Sequence, residues 1–367
     1  MEGKPVLTQL SPYKQGKQTK EIQEEYGLNH IVKLASNENP YGYSEKVRQN
    51  LIDGLPEFNI YPDGYTGKLR ESLSLRLNFN QNQFIFGSGT EEIIQMLCRS
   101  FLVAGSNVIM AAPTFPQYKH YALIEGAEVK EIPTNKHGYH DLERMLAAID
   151  EKTKIVWLCS PNNPTGTVIS DKDFESFMNK CPKHVVVAFD EAYYEFMDSE
   201  ADVNALSYIN RFHNLIVMRT FSKAYGLAGL RIGYGIANEQ IVTTLDKVRG
   251  PFNTTSIAQF AAVAALEDQS FIEHTYDKNK KVKAAFETFL DTIGWEYYDS
   301  ETNFLLVHTP VSGMEMYQYL VENGFIIRPG ELLGIPGTIR VSIGTEQEME
   351  ELQRLLLQFH QDRMKVL

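Results

Sequence analysis

Apolar residues along this chain arrive in two rhythms. Short runs, apolar or alternating, occupy residues 84–86, 108–110, 129–133, 154–158, 185–189 and 215–218, most of them followed closely by polar residues or glycine. Segments of that length and character predict buried strands. Between them apolar side chains recur at helical spacing. Leu69, Leu73 and Leu77 share one face of a predicted helix, and Ile93, Ile94, Leu97, Phe101 and Leu102 share a face of the next. Strand and helix in alternation predict an α/β fold, a mostly parallel sheet sandwiched by helices. Residues 230–237 alternate small and large side chains and predict one further strand. At Pro251 the style changes. A long helical tract follows, then strand 304–307, a helix around 314–320, strands 325–328 and 338–343, and an amphipathic helix over 346–364. The expected division is an N-terminal arm (1–30), a large domain (31–250) and a smaller α+β domain (251–367).

Three of the predicted strands end in chemistry. Ser160-Pro-Asn-Asn-Pro-Thr-Gly166 follows the first, Asp190-Glu-Ala-Tyr193 the second, and Thr220-Phe-Ser-Lys-Ala-Tyr-Gly-Leu-Ala-Gly-Leu-Arg231 the third. Ligands of open α/β sheets collect at the carboxyl ends of strands. An amide, a carboxylate with a phenol, and a primary amine would therefore face one cleft. A lysine that forms a Schiff base needs a partly desolvated site, where its pKa falls and free amine is available. Arg231 adds a permanent positive charge suited to a phosphate. Gly87-Ser-Gly-Thr-Glu91 turns a strand into a helix; Ser88 and Glu91 fit a capping box, and such a helix start attracts anions. Each feature alone has an ordinary structural reading. Lys223 could be a solvated loop lysine, Asp190 a helix N-cap and Phe115 a core residue. Gly87 and Gly89 do not complete a dinucleotide fingerprint, because Glu92 stands where its last glycine belongs, and no P-loop occurs.

Composition narrows the class. At 367 residues the chain exceeds what one hydrophobic core usually supports. Its net charge of −12 argues against nucleic acid or an anionic membrane as partner. Cys98, Cys159 and Cys181 form no C-x-x-C pair, which suits reduced thiols. The N-terminus lacks an apolar signal region, and the most apolar long stretch, 257–266, falls short of the ~20 residues a bilayer requires. Cytoplasmic residence is the expectation. His137 and His140 have metal-ligand spacing without a third ligand in sequence, so no metal is expected. Ser11-Pro-Tyr-Lys14 matches S-x-x-K without the companions of acyl-serine enzymes.

Together the three strand ends resemble those of fold-type I pyridoxal-phosphate enzymes, the aspartate aminotransferase superfamily, over nearly the whole chain. The resemblance implies that Lys223 carries pyridoxal 5'-phosphate and later shuttles a proton. Asp190 would hold the pyridine nitrogen, while Asn163 and Tyr193 would hold the ring's phenolate oxygen. The N–H groups of Gly89, Thr90 and Glu91, with Thr220, Ser222 and Arg231, would cradle the phosphate. Phe115, in Ala112-Pro-Thr-Phe-Pro-Gln117, would stack on the ring. Tyr61 would reach the phosphate of a neighbouring subunit, implying a homodimer with shared sites. Arg340 would bind a substrate carboxylate in bidentate fashion.

Ser11-Pro-Tyr-Lys-Gln-Gly-Lys17, Leu34-Ala-Ser-Asn-Glu-Asn-Pro40 and Phe325-Ile-Ile-Arg-Pro-Gly330 resemble histidinol-phosphate aminotransferases in particular. That implies amino-group exchange between L-histidinol phosphate and 2-oxoglutarate (glutamate in reverse), a step of histidine biosynthesis. Arg328 and Arg340 would serve the phosphate of one substrate and the carboxylates of the other, with Tyr13 and Asn37 closing over the imidazole. Gln15 departs from the proline that members often carry there. Aminotransferases for phenylalanine or tyrosine and phosphothreonine decarboxylases are related alternatives. A pyridoxal-phosphate-binding regulator without turnover would call for an appended DNA-binding unit, for which the arm is too short.

Overall fold

In the computed structural model, which describes residues 3–10, 19–198 and 203–364, seven apolar segments pair into one sheet. Their spatial order is Phe84–Gly87, Gly233–Ala237, Leu215–Thr220, Val186–Asp190, Thr153–Cys159, Asn107–Ala112 and Glu128–Pro133. Gly233–Ala237 runs antiparallel to both its neighbours, and the remaining pairings are parallel. Side chains alternate across a strand, so each central strand feeds two cores. Val187, Phe189 and Val217 pack on one face with Phe174 and Phe177; Val186, Ala188, Ile216 and Met218 pack on the other with Ile94, Leu97 and Trp157. Burial on both faces is why these strands read as unbroken apolar runs.

A smaller sheet pairs Arg328–Pro329 with Thr338–Ser342, and that strand with Phe304–His308. Its core holds Phe286, Leu305, Met316, Val341 and Leu352. Val32 and Leu34 belong to this core as well, because Val32–Lys33 pairs in parallel with Phe325–Ile326. Conversely, Ser256–Leu266 contributes Ala258, Ala261 and Ala262 to the core of the large sheet. The cores therefore do not divide at residues 30/31 and 250/251, where composition changes. The helix Thr19–Tyr26 seats Ile22 against Val321 and Ile326. Among the described residues no helix is long and apolar enough to cross a membrane.

Three local expectations are corrected. The strand expected over 230–237 begins only at Gly233, because Ala228–Leu230 is a 3-10 turn and Arg231 is left-handed, with φ 54°. The run 325–328 splits into two short strands that pair with different partners. The Ser88–Glu91 capping box does not form. Gly89 is the N-cap, and Glu92 instead reaches back to accept from the Ser88 N–H at 2.5 Å.

Candidate active site

The strands Thr153–Cys159, Val186–Asp190 and Leu215–Thr220 lie side by side, with Cys159 opposite Asp190 and Asp190 opposite Met218. Their carboxyl ends open into a cavity of about 390 Å³. Asn163, Asp190, Tyr193, Thr220, Ser222 and Lys223 line it from these ends. Thr90, Glu91 and Phe115 line it from neighbouring turns, while Asn37, Arg328 and Arg340 face it from the smaller lobe. Tyr61 is not among them. It stands exposed and stacked on Phe252, ring centroids 4.6 Å apart, in a segment that also exposes Leu55, Phe58, Ile60 and Tyr65. Tyr13 lies outside the described residues.

Lys223 sits half-buried, its Nζ donating to the Ser36 carbonyl at 3.0 Å and 5.7 Å from the centre of the Tyr193 ring. Burial, then the charge of Arg340, lowers its amine to about 8, with Glu38 pulling the other way. An appreciable fraction is thus a free nucleophile near neutral pH.

Asp190 is buried, and burial raises its carboxyl to about 6 against hydrogen bonds that hold it down. Oδ2 accepts from the Tyr118 hydroxyl at 2.7 Å and Oδ1 from the Ala192 N–H at 3.1 Å. Asp190 caps no helix, since the 3-10 turn Tyr194–Phe196 has Tyr193 as its N-cap, and the Ala192 contact is a local turn bond. Tyr118 was not indicated by the sequence. It lies on Gln117–Ile124, stacked on Trp157 at 4.7 Å, and only the fold brings it to Asp190.

Tyr193, pushed up to about 12 by burial, accepts from Asn37 Nδ2 at 2.9 Å. Asn37 is itself held at φ 55°. Its N–H donates to Ser342 Oγ, that hydroxyl donates to Asn37 Oδ1, and Asn303 Nδ2 donates to its carbonyl. This residue therefore ties the two lobes together across the cavity. Arg340, buried, donates to Asn163 Oδ1 at 2.5 Å and to the Ala35 carbonyl at 2.8 Å.

At the helix Thr90–Phe101, Gly89 has φ 77°, and a Cβ there would fall 2.5 Å from Arg231 Nη2. A Cβ on Gly233 would fall 2.7 Å from the Thr90 nitrogen. Only glycines let the guanidinium and the strand approach the helix start this closely. Arg231 Nη1 donates to Ser222 Oγ at 3.1 Å, and the Ser222 N–H donates to Thr220 Oγ1 at 3.0 Å. Hydroxyls, guanidinium and helix N-terminus together form an anion cradle. The Glu91 carboxylate turns aside to accept from Tyr121 and Gln117. Phe115 meets Tyr118 edge to face at 5.5 Å.

Arg328 and Arg340 stand directly opposite each other in the antiparallel pair. Like charges so placed destabilise a sheet unless something negative lies between them. Among the described residues Arg328 has no carboxylate within ion-pair distance. Lys33, ion-paired with Glu38 at 3.0 Å, also lines the cavity.

Residues 29–356 match the model of the family described as aminotransferase class I and II. The chain is 62% identical to histidinol-phosphate aminotransferase 2 of Oceanobacillus iheyensis, over 98% of this chain and 99% of that one. It is 47% identical to the histidinol-phosphate aminotransferase of Bacillus subtilis strain 168, over 97% and 99%. Among solved structures it is similar to the histidinol-phosphate aminotransferase of Sinorhizobium meliloti in complex with pyridoxal-5'-phosphate. There the TM-score is 0.89 at 25% identity, covering 98% of this chain and 97% of that one.

Proposed function

Because the chain belongs to the aminotransferase class I and II family, we propose that it is a pyridoxal-phosphate-dependent transaminase that exchanges an amino group between L-histidinol phosphate and 2-oxoglutarate. The observation that carries this reading is the opening of Lys223 and Asp190 into one cavity opposite the paired Arg328 and Arg340.

The residues fit the cofactor. Gly89 and Gly233 leave the cradle open, and Thr220, Ser222, Arg231 and the N–H groups of Gly89, Thr90 and Glu91 supply donors for a phosphate. Asp190 would hold the proton on the ring nitrogen. Asn163 and Tyr193 would hold the ring's phenolate oxygen, and Phe115 would cover a ring face. When bound, pyridoxal phosphate supplies an electron sink for the carbanion left at the substrate's Cα. This chain's own work is then proton handling and binding. The depressed pKa of Lys223 lets Nζ take the proton from Cα and return it elsewhere. Arg328 and Arg340 bind the phosphate of one substrate and the carboxylates of the other, and Asn37 closes the imidazole side.

A second copy of the chain completes the site in this proposal. Tyr61 stands exposed outside its own cavity's lining, on a stretch that also exposes Leu55, Phe58 and Ile60, as a residue that serves a partner would. A monomer at working concentration in sedimentation would contradict that part. All three cysteines are free, which suits a reducing cytoplasm.

The deciding experiment compares kcat/KM for histidinol phosphate, phenylalanine and tyrosine as amino donors. A phosphate bound between two arginines should favour histidinol phosphate by at least about a hundredfold. A preference for phenylalanine or tyrosine would replace this reading with an aromatic-amino-acid aminotransferase.

A further inference from the structure

We propose that Tyr118 is a positioning residue that acts through Asp190, aiming and holding the carboxylate that meets the cofactor's ring nitrogen. The inference rests on the pyridoxal-phosphate reading above and assigns a task to a side chain that borders the cavity behind Asp190, apart from the phosphate cradle.

Tyr118 is wholly buried, and two aromatic neighbours fix its orientation. Its ring lies flat on Trp157, with planes 6° apart, and Phe115 meets it edge-on. The phenol oxygen thus reaches Asp190 Oδ2 without rotational freedom. A buried hydroxyl with no acceptor is costly, and a buried carboxylate with no donor is more so. Each group answers the other's need. Oδ1 is engaged from a second direction by the Ala192 N–H, so the carboxylate is pinned at both oxygens by different elements. A carboxylate has about four acceptor positions, so pinning both oxygens still leaves capacity for a donor in the cavity. Packing alone does not explain the hydroxyl, since phenylalanine would stack on Trp157 equally well.

The charged and titratable groups around Asp190 come from every side. Cys159 on the adjacent strand and Tyr193 beyond the turn are both driven up to about 12 by burial, so they stay neutral at working pH. Lys223 favours the anion from across the cavity, and Arg340 acts on Lys223 and Tyr193 behind it. Against desolvation, which raises Asp190 to about 6, the Tyr118 hydrogen bond is the first of the effects that lower it. Without the hydroxyl, Asp190 should take up a proton at higher pH.

The test is equilibrium binding of pyridoxal phosphate to apoprotein across pH, for the wild type, Tyr118→Phe, Asp190→Asn and the double variant. Tyr118→Phe should weaken binding about tenfold at neutral pH, the order expected for one hydrogen bond to a charged group. The pH at which affinity falls away should also move upward. In the Asp190→Asn background the same change should cost little further, because the carboxylate charge it serves is gone. Tyr118→His, which restores a donor, should recover part of the affinity and covers the case in which the phenylalanine variant folds poorly. An equal loss in both backgrounds, or an unshifted pH profile, would overturn the inference. Failure of wild-type apoprotein to bind the cofactor at all would overturn the functional reading and this inference with it.

Discussion

The floor and the facing wall of the cavity are built on opposite electrostatic terms. On the floor every polar group named has a partner. Asp190 has Tyr118 and Ala192, Tyr193 has Asn37, and Lys223 has the Ser36 carbonyl. Across from it, the smaller sheet sets Arg328 against Arg340. A floor satisfied within the protein holds its geometry whether or not substrate is present. A wall of adjacent cations carries a repulsion that a bound anion relieves. Chemistry should therefore depend on the floor, and affinity and selectivity on the wall. A contrast inside the large lobe makes the same point. Arg219, one residue before Thr220, is buried against Glu191 at 2.7 Å, and in that pairing is a structural arginine.

This division can be broken by substitution. The largest effect is expected at Arg340. Its guanidinium holds Asn163 and the Ala35 carbonyl as well as facing substrate. Arg340→Ala should lower kcat/KM by about a hundredfold or more through both KM and kcat. Arg340→Lys should rescue little of it, because one ammonium cannot reproduce the forked contacts. Arg328→Ala should cost about tenfold, almost wholly in KM. A kcat loss at Arg328 as large as that at Arg340 would erase the distinction between floor and wall.

At Asp190 substitution should move stability and turnover in opposite directions. Its carboxyl is raised to about 6, above the ordinary value near 3.9, so the folded apoprotein prefers the neutral form. The associated stability is fully present below the ordinary value and is lost as pH rises through about 6. At pH 7 the ionised group is a burden on the apoprotein. Asp190→Asn should then be more stable than wild type by roughly 1–3 kcal/mol at pH 7 while losing turnover. Parallel melting curves from pH 4 to pH 7 would contradict the assignment of strain to this carboxylate.

Much of the floor was legible because strand ends carry their chemistry in consecutive residues. An apolar run that stops at Asp190, or at Arg219 and Thr220, announces its own boundary. The wall was legible as two arginines, but not as a facing pair, since register between Arg328 and Arg340 is a property of the sheet. Tyr118 was invisible for a similar reason. It looks like one more aromatic in Gln117–Ile124, and its acceptor lies 72 positions away. The change of style at Pro251 does not coincide with a change of core, because Ser256–Leu266 is alanine-rich yet packs on the large sheet. Arg231 broke an expected strand because its left-handed backbone carries no signature in a side-chain pattern.

The claim beneath all of this is that Lys223 is the amine that carries the cofactor. Reducing the holoenzyme with borohydride, digesting it and locating the pyridoxyl mass by peptide sequencing tests it directly. The account predicts one modified site, Lys223, and no stable adduct in Lys223→Ala. A pyridoxyl group on any other lysine, or an adduct that survives the alanine substitution, would contradict it.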